Sequence, residues 1–292
     1  VSFIVFRTST RSLPVEFILG GAVDAIAGGG ELTPRHWATT GGGAGLIGAG
    51  KFGSMFLSQV PTIRGLTVTA IADLSPHNAQ KACEHVGWDT SRIDATAFLE
   101  DGAALAARDD VDVVIEATGN PLAGISHALA AIAAGKHIVM VNVEADVLAG
   151  AALAARAKAA GTVYSMAYGD QPSLVSEMVD WARATGFSVT AAGKGTKYLP
   201  AYHNVTPDGV WPHYGLTPEE AAAAGMNPQM FNSFLDGTKS AIEMCAIANA
   251  CDLSVPSQGL AFPPCGVDDL SHILRPQSEG GVLEARGLAE VV

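Results

Sequence analysis

An α/β fold, with a doubly wound parallel sheet followed by an α+β catalytic domain, is predicted by three observations. The first is Gly48-Ala49-Gly50-Lys51-Phe52-Gly53, a G-x-G-x-x-G turn between the apolar Gly45-Leu46-Ile47 and the helical pattern 55–60. The second is the β-forming run 66–72, which ends in Asp73. The third is a repeat of strand, glycine turn and helix: 111–116 with Ala117-Thr118-Gly119, an alanine-rich helix to about Gly135, then the strand 137–141. Repetition of that kind means parallel βαβ units.

In the first motif each glycine has its own task. Gly48 permits the tight turn, Gly50 lets the backbone approach a pyrophosphate, and Gly53 lets the helix pack closely on its strand. The helix N-terminus, with Lys51 and Phe52, supplies an anion site. Asp73 stands where such folds keep the acid that accepts from the adenosine ribose hydroxyls. Ala117, Thr118, Gly119 and Asn142 follow the next two strands and complete the candidate cofactor-binding set. Asp73 favours NAD by repelling a 2′-phosphate, while His77 and Lys81 nearby keep NADP open. Gly45 to Lys51 also fits the opening of a nucleotide-triphosphate loop, G-x-x-x-x-G-K. Phe52 then stands where that loop needs a hydroxyl for magnesium, which excludes an NTPase.

The segment before the motif is anomalous. A first strand should be a buried β-branched run, yet only Ala44-Gly45-Leu46-Ile47 is available. Either the strand is truncated or residues 1–43 are an extension or linker not native to the fold. Arg7 and Arg11 ahead of residues 15–27 imitate a signal peptide poorly, because Glu16 and Asp24 interrupt the apolar run. Gly28-Gly29-Gly30 and Gly41-Gly42-Gly43 read as linker.

Downstream, the pattern predicts helices over 78–86, 96–107 and 144–160 and a strand over 162–167, which closes a domain of residues 44–167. A second domain, 168–292, reads as catalytic and truncated at its C-terminus. Within it come a helix over 173–185, a strand over 187–192, and a long polar-aromatic loop holding His203, Trp211, His213 and Tyr214. Thr217-Pro218-Glu219-Glu220 opens a short helix by a capping pattern, and Asn227-Pro228 opens a longer one over 229–250. Residues after Asp252 are mostly loop, with the start of a helix or strand at the end.

Composition bounds the function. The 292 residues carry 29 acids against 17 bases, a net charge of −12, which repels nucleic acid and anionic membranes and leaves a small molecule as partner. No apolar run is long enough for a membrane span. Cys83, Cys245, Cys251 and Cys265 are scattered without a C-x-x-C pair, as in a reduced, cytoplasmic enzyme. Asp170, Glu144, Asp146 or Asp236 could ligate a divalent metal, but no spacing compels it.

In the helix 229–250, Asn232, Asp236, Lys239 and Glu243 recur at spacings of three and four and share one face. That face is either solvated, with a Lys239–Glu243 pair, or a substrate stripe in which Asp236 and Lys239 act on a hydroxyl or carbonyl. Lys194 and Lys197 flank Gly195-Thr196 in a loop after a strand. They form either a basic hairpin turn or a seat for a phosphate or carboxylate. His203 lies in a loop too long for a mere connector.

Taken together, Gly-Leu-Ile-Gly-Ala-Gly-Lys-Phe-Gly, Ile-Ala-Asp-Leu, Glu-Ala-Thr-Gly, Val-Asn-Val-Glu-Ala-Asp, Gly-Asp-Gln-Pro, Gly-Lys-Gly-Thr-Lys-Tyr and Ser-Phe-Leu-Asp-Gly-Thr-Lys resemble the homoserine-dehydrogenase-like oxidoreductases. Within these the chain is most similar to the deoxyxylulose-phosphate reductoisomerase-like branch. The resemblance covers residues 45–292. It implies a Rossmann domain and a catalytic domain, hydride transfer with NAD or NADP, and a homo-oligomer assembled through the second domain. It also implies that Asp236 and Lys239 serve the substrate. The lysines Lys194 and Lys197 suit a phosphorylated or acidic substrate better than homoserine. Homoserine dehydrogenase itself and a non-catalytic dinucleotide-binding module remain alternatives.

Overall fold

Parallel strands that follow one another through helices must be covered on both faces, and the apolar runs of the first half meet that requirement. The computed structural model describes residues 2–5 and 42–292. The apolar segment 15–27 and the glycines 28–30 lie outside the described residues. Residues 42–170 belong to one compact unit; 171–292, with β1 (Ser2–Val5), belong to the other.

The first unit is built on β2 (Gly42–Ile47), β3 (Leu66–Ala72), β4 (Ala97–Leu99), β5 (Val113–Glu116), β6 (His137–Met140) and β7 (Tyr164–Met166), all parallel. Their spatial order is β4-β3-β2-β5-β6-β7, the doubly wound order that reverses direction at its first strand. Ile47 pairs with Ala72 on one side and Glu116 on the other, so three strand ends finish level at the reversal. The connections are α1 (Lys51–Gln59), α2 (Pro76–His85), α3 (Thr90–Asp94), α4 (Gly102–Ala106), α5 (Pro121–Ala133) and α6 (Val143–Ala159). Successive strand residues point to opposite faces. Leu46 accordingly packs with Leu57, Ile71, Trp88 and Ile115, while Ile47 packs with Leu105, Val114, Ile138 and Leu153. Each such side chain contributes about 1.5–3 kcal/mol by leaving water.

Two expectations are corrected here. The first strand is not short: it begins at Gly42, and its glycines are there for closeness. A Cβ on Gly43 would lie 1.9 Å from the Asp110 carbonyl oxygen, and one on Gly45 would lie 2.4 Å from Leu105 Cδ2. Close approach of backbone and side chains displaced the β-branched residues that a pattern search needs. The helix expected over 96–107 is instead the edge strand β4 followed by α4, which Asp101 caps through the Ala103 amide.

At the other edge, His137 Nδ1 accepts from the Val163 amide at 3.0 Å, and burial pushes its pKa below the usual 6.5. The unfolded chain therefore binds the proton more readily. This contribution to stability is fully present above about pH 6.5 and is lost as the pH falls through the depressed folded value. Amides of β6 and β7 should lose hydrogen-exchange protection on mild acidification in the wild type, and His137→Gln should remove that pH response. Equal responses in both proteins would refute the assignment.

The second unit has a three-stranded sheet in the order β1-β8-β9, from β8 (Ala191–Lys194) and β9 (Leu288–Val291). β1 runs antiparallel to β8, and β9 parallel to it. On it pack α7 (Gln171–Ala184) and, further along the chain, α10 (Thr238–Cys251), through Val175, Val179, Met244 and Ile247. The aromatic loop after β8 is no loose connector, since Tyr202, Val210 and Trp211 form a small core with Ala221 of α8 (Pro218–Ala223) and Leu235 of α9 (Pro228–Leu235). Thr217 and Glu220 form the capping box expected at α8. The single helix expected over 229–250 is broken. Gly237 has φ +88°, left-handed backbone that ends α9 at Leu235 and restarts the chain as α10.

Candidate active site

At the sheet's reversal the turn after β2 meets the turn after β5. Gly48 adopts φ +95°, and a Cβ there would lie 2.8 Å from the carbonyl oxygen of Ala117 and 3.0 Å from Thr118 Cα. Only glycine serves at such a point. A Cβ on Gly53 would lie 2.3 Å from the Gly48 carbonyl oxygen, so α1 rides directly on the turn that precedes it. Gly50, by contrast, is exposed, and a Cβ there would have nothing within 4 Å. The helices α2 to α6 are each capped at the N-terminus by a side chain, from Ser75, Asp89, Asp101, Asn120 and Asn142. Gly50 gives α1 no such cap. Open backbone at Gly50, the uncapped start of α1 and its positive dipole end fit the pyrophosphate of a dinucleotide. Lys51 and Phe52 are exposed beside it.

Asp73 closes the next strand and turns back onto the glycine turn. Its Oδ2 accepts from the Ala49 amide at 2.9 Å and its Oδ1 from the Ser75 amide at 3.0 Å. Thr118 and Gly119 are exposed after β5, with Ala117 half-buried. Asn142 does not join them at the surface. It is 3% exposed, its Nδ2 donates to the Asn120 carbonyl at 2.8 Å and its Oδ1 accepts from the Ala145 amide. The side chain therefore ties the β5 turn to the start of α6. Sequence reasoning passed over Glu116 and His127, which stand behind this turn; a lone acid closing the apolar run Val113-Val114-Ile115 was the available signal.

In the second unit the lysine pair is separated. Lys194 is the last residue of β8, and its Nζ donates to Glu243 Oε2 of α10 with only 12% and 5% of the two side chains exposed. Lys194 is thus committed to a buried ion pair with Glu243 and is not a free loop cation. Lys197 is exposed and lines a cleft of about 360 Å³ with Thr196, Tyr198, Phe262, Pro264 and Cys265. Tyr198 and Phe262 stack at 4.2 Å. A Cβ on Gly237 would lie 3.2 Å from Phe262 Cζ, so the Asp236–Gly237 turn lies against the same two rings that wall the cleft.

Asp236 and Lys239 straddle the helix break. Asp236 accepts from Asn232 Nδ2 at 2.9 Å and from the Thr238 amide at 2.8 Å, and Lys239 is half-buried in the first turn of α10. Phe262 sits at φ +47°, a conformation that costs roughly 1–2 kcal/mol for a residue other than glycine. The buried Glu290 carboxylate holds this segment by accepting from the Ala261 amide at 3.1 Å. Burial pushes the Glu290 pKa up, which its backbone donors oppose. His203 is exposed in the turn Pro200–Asn204 and is not part of the cleft lining.

Residues 43–168 match the family described as "Oxidoreductase family, NAD-binding Rossmann fold", and residues 169–292 match "Oxidoreductase DRL, catalytic domain". Each part of the chain thus matches a domain family of oxidoreductases. The fold of its first domain is one that binds NAD or NADP. Among curated proteins, a homoserine dehydrogenase from Neisseria gonorrhoeae is 37% identical over 79 residues, 27% of this chain and 16% of that protein. Among solved structures, a DOX-P reductoisomerase in complex with NADPH, fosmidomycin and magnesium superposes with a TM-score of 0.51 at 16% identity. The match covers 73% of this chain and 59% of the other. A myo-inositol dehydrogenase from Lactobacillus casei, in complex with NAD(H) and myo-inositol, gives a TM-score of 0.42 at 18% identity over 58% of this chain and 48% of the other. The chain thus spans less than two thirds of each of these relatives, and the likeness to the reductoisomerase structure shows a shared fold. Among its described residues no helix is long and apolar enough to cross a membrane, and no three His, Cys, Asp or Glu side chains gather as a metal site.

Proposed function

We propose that the chain transfers hydride between NAD(P)(H) and a small hydroxylated or phosphorylated carbonyl compound, in the manner of a reductoisomerase. The observation that carries this reading is the glycine turn at the sheet reversal, where Gly48 and Gly53 are fixed by contact while Gly50 and the start of α1 are left open. Bound NAD(P)H supplies the hydride. The chain's own residues bind, orient and protonate. Lys197 in the cleft draws in an anionic group of the substrate, and the Tyr198–Phe262 stack covers its apolar part. Lys239 gives a proton to the carbonyl oxygen as that carbon is reduced and regains it from solvent, with Asp236 fixing the turn from which it projects. Asp73 accepts from the adenosine ribose and weights the choice toward NAD.

Titration of the purified chain with NADH and NADPH separately, followed by fluorescence, tests the reading. Binding of neither would refute it, and the tighter of the two reports what Asp73 does. Lys239→Ala is expected to lower turnover roughly a hundredfold or more while leaving the cofactor Kd unchanged. Normal turnover would remove Lys239 from the reaction. A second reading, homoserine dehydrogenase, is favoured by the 37% identity over 79 residues with that enzyme. Homoserine oxidation with no gain from substrate phosphate would establish it in place of the first.

A further inference from the structure

Among the described residues of the first unit the most deeply buried acid is Glu116, the last residue of β5, with 0% of its surface exposed. Taking a carboxylate out of water carries a large desolvation cost, and an apolar residue would close a core strand more cheaply. Its partners show what the charge does. Oε1 accepts from the Thr118 hydroxyl at 2.6 Å and faces His127 Nδ1, on α5, at 3.2 Å. The Thr118 hydroxyl in turn accepts from the Asn120 amide at 3.3 Å. Thus the carboxylate reaches forward into the turn 117–120, the turn that Gly48 touches at the sheet reversal. Oε2 is buried with no partner. It lies beside the Asn142 amide around Gly124, where a Cβ would come 3.1 Å from Oε2 and 2.8 Å from Asn142 Nδ2.

We propose that Glu116 is a positioning residue for the dinucleotide, acting through Thr118. Its buried carboxylate sets the hydroxyl and backbone of the turn after β5, and that turn forms the second wall of the crevice opposite the glycine turn. Thr118 is the exposed element of the pair and Glu116 its fixed support, which gives a group that is costly to bury a role at the surface. The inference rests on the dinucleotide reading above, and the test separates the two.

The experiment is a double-mutant cycle on the purified chain, read as the Kd for NADH and NADPH and as the melting temperature without cofactor. Glu116→Gln keeps the shape of the side chain and is expected to weaken binding roughly tenfold or more, the equivalent of one hydrogen bond to a charged group. Thr118→Val, at an exposed position, is expected to weaken it similarly. The double variant should be no weaker than the worse single, because both changes break one chain of contacts. Melting temperatures alone cannot produce that coupling. Unchanged Kd in both single variants, or fully additive losses, would overturn the proposal while leaving cofactor binding by the wild type intact. Should Glu116→Gln not fold, Gly124→Ala replaces it in the cycle with Thr118→Val. Its methyl pushes on Glu116 Oε2 and Asn142 from behind, and an unchanged Kd there would equally overturn the role. Absence of dinucleotide binding by the wild type would sink this inference together with the function on which it rests.

Discussion

Gly53→Ala is expected to weaken NADH binding by roughly a hundredfold or more, the penalty for displacing a binding element by about 1 Å. The added methyl would lie 2.3 Å from the Gly48 carbonyl oxygen, a backbone atom that cannot swing aside as a side-chain end can. Either α1 lifts from its strand or the turn deforms, and both move the amides that face the pyrophosphate. Gly50→Ala is the informative contrast. Its backbone φ of −66° suits alanine and its Cβ would have nothing within 4 Å, so the free protein should melt as the wild type does. It should nevertheless lose affinity, because the methyl occupies the space a pyrophosphate approaches. Calorimetry with both variants checks this. Gly50→Ala binding like wild type would show that nothing approaches that glycine.

The second large effect is expected at Lys194. Removing one partner of a buried ion pair leaves the other charge uncompensated, which costs about 3–5 kcal/mol. A domain is stable by only about 5–15 kcal/mol, so Lys194→Ala should lower the denaturation midpoint of the second unit sharply. Glu243 is the charge left behind, with 5% of its side chain exposed. Replacing both, Lys194→Met with Glu243→Leu, should recover most of that stability, since an apolar pair carries no desolvation cost. Urea denaturation of the three proteins decides it. Lys194→Ala that melts like wild type but loses turnover would return Lys194 to the substrate.

How far the sequence reached follows from the range of each interaction. The turn 48–53 and Asp73 were legible because glycine spacing, strand length and the acid's distance are all local consequences of one strand-turn-helix unit. The start of β2 was not, because Gly43 answers to Asp110, distant in sequence and close only after folding. Residues 96–107 read as helix because their alanines and leucines carry helix propensity. Pairing of Ala97–Leu99 with β3 overrode it. The stripe through Asp236 and Lys239 assumed one helix, and Gly237 alone breaks it. Lys194 finds Glu243 across 49 positions, and Thr118 finds Glu116 behind its own turn. Neither partner can be guessed from spacing: the first is a tertiary contact, and the second depends on which way a buried strand end faces.

The register of β1 bears on how the protein is made. Val5 lies opposite Ala191, and Ser2 opposite Lys194, so a strand made before the nucleotide-binding unit has its partner in a segment made only after that unit. Closing so long a loop costs little more at equilibrium than closing a shorter one, because the entropy grows only with the logarithm of length. In time it costs more, since distant pairings form slowly and an unpaired strand is exposed to other chains meanwhile. The nucleotide-binding unit can therefore be complete, and able to hold its ligand, while the sheet of the second unit still lacks an edge. Cofactor present during synthesis would then stabilise the half of the molecule that folds first and leave the nascent β1 exposed just as long.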